Sequence, residues 1–208
     1  MPFIGNKPSA VPLTSADITD GIITSAKIAN GAIVGDDINS TFNLTGKTVT
    51  LPAGTGGKVL QVVSTTVTTA SSIASTSATD ISGLSVTITP SATANKILVL
   101  WKIQYSNASG NNGVINLVRN GTNIAMGDSG QGGDDCTISI CTANMNNYWS
   151  FEAGGSFLDS PSSTSALTYK FQTTSNDGAG VFYFNRTARN GGSDANGIST
   201  ITVMEIAG

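Results

Sequence analysis

The sequence predicts an all-β protein: an N-terminal arm and a short repeat stalk, followed by an antiparallel β-sandwich or jelly-roll knob. Three observations carry this prediction. Only 11% of the residues are charged, and Gly, Ser, Thr and Asn stand where charge usually would, a balance that suits strands and turns better than helices. Leu84, Val86 and Ile88 alternate with polar residues, as do Leu167, Tyr169 and Phe171, which is the period-two signature of half-buried strands. Asn120-Gly121 separates two runs of strand character, and that pair supplies the positive φ angles of a type I′ hairpin turn.

Residues 1–14 read as an irregular arm, because Pro2, Pro8 and Pro12 forbid regular helix. An arm without a core is mobile by itself, so a docking partner is expected to hold it. Residues 15–57 read as a repeat stalk and neck. Ser15–Thr24 and Ser25–Val34 are successive ten-residue units, and Gly35–Leu44 is a degraded third. Ile18, Ile28 and Ile38 hold one phase, and Ile23 and Ile33 another. One or two large apolar groups per unit are too few to offset the entropy of ordering it alone. Identical chains wound together would bury these isoleucines in layers, so the repeat predicts a homo-oligomeric stalk, with a homotrimer as the expected form. The glycines at 21, 31 and 35 and the β-branched content favour short β-arcs over helix. Thr48–Pro52 reads as a short strand, and Ala53–Gly57 as a joint.

Residues 58–208 read as the knob. Strands are expected near 58–64, 84–88, 97–101, 114–119, 122–126, 136–141, 147–153, 167–172, 180–186 and 198–206. Ile97–Trp101 is apolar on both faces, which predicts a central strand. The last strand runs almost to Gly208, which predicts that this end belongs to the sheet.

Composition narrows function. A net charge of −3 without a basic cluster argues against nucleic acid as a partner. No apolar run has the length of a membrane-spanning helix, and Met1–Pro8 lacks the apolar core of a signal peptide, which predicts folding in a cytoplasm without membrane insertion. Cys136 and Cys141 fall on opposite faces of an extended strand, so free thiols are expected. The chain has no histidine, which removes the commonest general base and metal ligand. No cofactor is expected, and the enzyme reading is disfavoured.

The acidic loop Gly127–Asp135 sets three carboxylates among glycines, a composition that can bind calcium through oxygen ligands, but its spacing does not match an EF-hand, and a solvated connection between strands is the favoured reading. Asp134 with Asp135, and Glu152 with Asp159, are the conceivable acid–base pairs of a glycosidase. Tyr148-Trp149 follows an amide-rich run, an arrangement that can meet a sugar with a ring face and amides. The competing reading points Trp149 and Phe151 inward as core, with Trp101 more clearly core. Residues 190–197 form a long Gly/Asn/Ser/Asp loop flanked by Arg186 and Arg189. Tyr148, Asn190 and Asp194 are the candidate receptor contacts.

Met1–Pro8 and the Ser-Ala-Lys-Ile-Ala-Asn-Gly-Ala-Ile unit resemble structural proteins of marine tailed bacteriophages, cyanophages among them. Asp80–Pro90, Asn95–Val99, Leu158–Pro161 and Ser199–Ile206 carry the same resemblance through the knob. It implies a virion component: a trimeric tail fibre or appendage that joins other virion proteins through residues 1–14 and reaches a host surface glycan through its knob. A purely structural capsid-decoration or adaptor protein is the alternative. The resemblance carries no catalytic residues.

Overall fold

The alternating segments become strands, and the strands pair in a nested order. The computed structural model describes residues 24, 26, 28, 58–107, 112–128, 135–141, 146–176, 178 and 180–208. The chain divides into two units, Met1–Pro52 and Ala53–Gly208. Of the first, the described residues are Thr24, Ala26 and Ile28, with Ile28 exposed. The arm, and Ile18, Ile23, Ile33 and Ile38 of the repeat, lie outside the described residues.

The second unit is built from β1 (Val59–Val67), β2 (Ser71–Ala74), β3 (Thr79–Ile88), β4 (Lys96–Asn107), β5 (Asn112–Arg119), β6 (Thr122–Ile124), β7 (Ile138–Cys141), β8 (Phe151–Asp159), β9 (Leu167–Ser175), β10 (Val181–Phe184) and β11 (Ser199–Ile206). There is no helix among the described residues of this unit. First pairs with last: β1 with β11, β2 with β10, β3 with β9, β4 with β8, and β5 with β6 and β7, all antiparallel. The strands of this unit therefore form one long hairpin whose inner pairs sit inside its outer ones. Its innermost turn is Asn120-Gly121, with φ of 47° and 88°, the geometry expected of Asn-Gly.

The pairs sort into two antiparallel sheets. The six-stranded sheet runs β1-β11-β4-β10-β2, with β8 along the other side of β4; the five-stranded sheet runs β3-β9-β5-β6, with β7 also on β5. β4 is central, as its doubly apolar sequence predicts: β8 flanks one side, and β11 and then β10 lie end to end along the other. Side chains from both sheets share one core, including Leu84, Ile97, Val99, Ile115, Tyr169, Phe171, Phe182 and Ile201. Burying such side chains stabilises the unit by about 1.5–3 kcal/mol each.

Three polar devices shape this frame. Where β10 ends and β11 begins, Asn185 adopts φ 60°. Its amide donates to the Val67 and Thr69 carbonyls at 3.0 and 3.1 Å. Its carbonyl oxygen accepts from Ser199 Oγ at 2.7 Å, and Ser199 Oγ accepts the Gln104 N–H at 3.0 Å. This buried chain closes the seam between the end-to-end strands. At the opposite end, Glu205 accepts from Ser91 N, Ser91 Oγ and Asn95 Nδ2 at 2.6, 2.7 and 2.6 Å. Burial pushes its carboxyl up, but the bonds from Ser91 and Asn95 outweigh burial and hold it below the ordinary value. Between the sheets, Arg119 of β5 grips both oxygens of Asp159 of β8 at 2.7 and 2.6 Å, and Tyr169 Oη donates to Oδ2 at 2.7 Å.

Several boundaries differ from the sequence expectation. β2 was not anticipated: Ser71–Ala74 carries one large apolar residue, Ile73. β3 begins at Thr79, and a register shift between Asp80 and Ser85 breaks its alternation, with Gly83 at φ 75° inside it. β8 is Phe151–Asp159 instead of 147–153, because Asn146 turns the chain first: its carbonyl accepts Trp149 N at 3.1 Å and its side chain accepts Tyr148 N at 3.1 Å. Trp101 is half-buried, packs against the core 5.5 Å from Phe171, and leaves no room for a Cβ on its cross-strand partner Gly155.

Candidate functional site

Two connections meet beside the seam end of the six-stranded sheet: the turn before β8 and the long link from β10 to β11. The Asn146 turn presents Tyr148 and Trp149 to solvent, 53% and 57% exposed. The inward reading of Trp149 is therefore corrected. Its side chain precedes the strand, so no alternation directs it to the core. Phe151, inside β8, is half-buried and stacks on Tyr105 at 5.9 Å.

The β10–β11 link is folded around one carboxylate. Asp194 accepts from Thr187 Oγ1 at 2.6 Å, Gly191 N at 2.8 Å and Arg189 Nε at 3.1 Å, and also pairs with Arg189 Nη2. Arg189 holds the Asp194 carboxyl well below the usual carboxylate range, with Thr187 and the Gly191 N–H adding to the effect. Asn190, at φ 52°, donates its N–H to Thr187 Oγ1 at 3.1 Å. Arg189 N then bonds the Asn147 carbonyl at 3.0 Å, and the guanidinium lies 4.2 Å over the Tyr148 ring. This stacking fixes the ring between the two connections.

Tyr148, Asn190 and Asp194 thus belong to one assembly, but in different roles. Tyr148 and Asn190 face outward. The Asp194 side chain is turned in and engaged by its own loop, so it positions Arg189 and through it Tyr148. Arg189 and Trp149 complete the group. A flanking arginine next to an aromatic-containing turn was the available sequence signal, but proximity across 40 residues is not readable from spacing. A cleft of about 250 Å³ beside Asn190 is lined by Ser71, Ser72 and Arg186, and Arg186 lies 4.5 Å over Tyr183. The combined surface offers ring faces, an amide, hydroxyls and a guanidinium.

The proposed acid–base pairs fare differently. Glu152 is opposite Gln104 and Asp159 opposite Ile97, so they occupy the two ends of β8, roughly 23 Å apart at ~3.3 Å per residue. Glycosidase carboxyls stand about 5–9.5 Å apart. Glu152 pairs instead with Lys102 at 2.7 Å. Asp134 lies outside the described residues. Asp135 borders an open cleft of about 470 Å³ whose other lining residues among those described, such as Asn116, Thr174 and Ser175, carry no charge. Among the described residues, no three Cys, Asp or Glu side chains cluster to hold a metal ion. No protein-family model matches the chain, and no curated protein is significantly similar to it.

Proposed function

We propose that this chain is a structural component of a bacteriophage particle, a homotrimeric tail-fibre or appendage protein whose C-terminal unit contacts a host surface glycan. The observation that carries the reading is the Tyr148–Arg189–Asp194 assembly. It seats the exposed Tyr148 ring against Arg189 and orders the loop that carries Asn190, with the exposed Trp149 next in sequence. A sugar is bound by apolar ring faces against its C–H surface and by amides and hydroxyls against its hydroxyls. The nested strand pairing supports a jelly-roll winding, an architecture that serves both viral particles and lectins; that likeness is one of fold, and the site carries the functional argument. The ten-residue isoleucine spacing supports association of copies, which multiplies weak single-site affinity.

Two measurements test this. Gold-labelled antibody against the protein should decorate a tail or appendage of phage particles; label confined to the capsid shell supports the decoration alternative, and unlabelled particles refute the virion reading. On an array of bacterial surface polysaccharides, the full chain should bind, and Tyr148→Ala with Trp149→Ala should weaken binding at least about tenfold, the loss of one or two stacking contacts. Binding unchanged in the double variant removes the glycan site from this assembly.

A further inference from the structure

We propose that copies of this chain meet through the outer face of the six-stranded sheet, each seating a second copy on the row Val62, Met204, Leu98 and Leu158. The proposal rests on the oligomeric reading above and names the surface that reading requires in the second unit.

The row follows from register. Val62 is opposite Met204, Met204 opposite Leu98, and Leu98 opposite Leu158, and directly opposed residues share a face. The neighbours Ile97, Val99 and Val203 point the other way and are fully buried in the core. The row therefore crosses the sheet on its outer side without a covering layer among the described residues. Val62 is 55% and Leu158 49% exposed at its two ends, with Met204 and Leu98 half-buried between them. Val59, 49% exposed, and its partner Ile206 extend it toward the start of β1. This is why Ile97–Trp101 is apolar on both faces of its strand: one face makes the core, and the other makes this row.

Size decides the occupant. The row spans four strands at ~4.8 Å spacing and about two residues along each, roughly 130 Å². A free-standing interface needs about 800 Å² from each partner. An untethered protein would gain too little from this patch to stay. Copies joined through the repeat would be tethered by the fourteen residues between Leu44 and β1, at an effective concentration near the millimolar range, and for them a small apolar patch suffices. The row itself contains no charged side chain; Lys96, across from Ile206, and the paired Lys102 and Glu152 stand at its border. On the outer face of the other sheet, Thr87 meets Thr168, and Asp80 meets Lys170 and Gln172; here the corresponding pairs, Ser64 with Thr202 and Lys102 with Glu152, border the row without interrupting it.

The experiment uses the full chain with Cys136→Ser and Cys141→Ser, carrying either Val62→Cys or Thr87→Cys with a nitroxide label, together with mass by light scattering. The expected result is an oligomer with dipolar broadening from the Val62 label and none from the Thr87 label, and loss of that broadening when Leu98→Glu is added at unchanged mass. An oligomer without broadening at Val62, or with equal broadening at Thr87, overturns this face and leaves the oligomeric reading standing. A monomer overturns both. A monomer whose Val62 label is immobilised would assign the row to the chain's own N-terminal segment instead.

Discussion

On the five-stranded sheet, the hydroxyl, amide and charged groups stand outside. Thr87 bonds Thr168 across the strands at 2.9 Å, and Asp80 takes Lys170 and Gln172, each at 2.7 Å. On the six-stranded sheet, some polar groups are instead folded in. Asn185, Ser199 and Glu205 are 1–2% exposed, while Leu158 and Val62 look out. The first arrangement is that of a face finished against water. The second places satisfied polar networks at the two ends of β11 and leaves an apolar row between them, bordered on the same face by the Ser64–Thr202 hydroxyl pair and the Lys102–Glu152 ion pair, each at 2.7 Å. Outward polar pairs contribute little and tolerate change, whereas buried ones are costly to leave half-made. Stability should therefore depend very unevenly on polar groups in the two sheets.

Asp159→Ala offers the strongest way to break the contrast, because Asp159 joins the sheets. It would leave Arg119 and the buried Tyr169 hydroxyl without their acceptor, and the urea midpoint should report a loss of about 3–5 kcal/mol. Next is Asn185→Ala. The Val67 and Thr69 carbonyls and Ser199 lose their partner, and alanine must take the left-handed φ that asparagine tolerates; about 2–3 kcal/mol is expected. Asn185→Gly, which relieves only the backbone part, should recover about 1 kcal/mol of this. The third test uses acid. The Glu205 carboxyl sits below its ordinary 4.5, so its contribution is complete above that value and is lost as pH falls through the folded-state value. Stability measured from about pH 6 down to about pH 3 should drop, and Glu205→Gln should flatten part of that slope. The smallest effect belongs to the outward face. Lys170→Ala removes a half-exposed ion pair and should cost no more than about 0.5 kcal/mol, with sensitivity to salt. A cost as large as that of Asn185→Ala would erase the distinction between the sheets.

Much of this frame is legible in the chain. Alternation at 84–88 and 167–172 marks β3 and β9, Asn120-Gly121 marks the hairpin, and the doubly apolar Ile97–Trp101 marks the centre of a sheet. These signals are local, and local packing rules read them directly. What was not legible depends on partners far away in sequence. Ile73 is unremarkable until β10 lies beside it. Trp149 looks like the first inward residue of a strand until Asn146 turns the chain two residues too soon. The aromatic and amide candidates of the site could be named from residue type, but Arg189 reaches Tyr148 only because the β10–β11 link folds around Asp194.

The nested pairing has a consequence in time. Loop closure favours the short innermost hairpin, β5 with β6, and each outer pair must close a longer loop. β1 and β11 start about 140 residues apart. At roughly 5–20 residues per second, β1 leaves the ribosome roughly 7–30 s before its partner is complete. During that interval Val59–Val67 is a synthesised strand with an open edge, downstream of a repeat for which association of copies is proposed. Assembly of the repeat before the second unit closes would hold several such edges close together, each with the wrong β11 within reach. A slow, late closing step, rescued by dilution and worsened by crowding, is the kinetic signature this winding imposes.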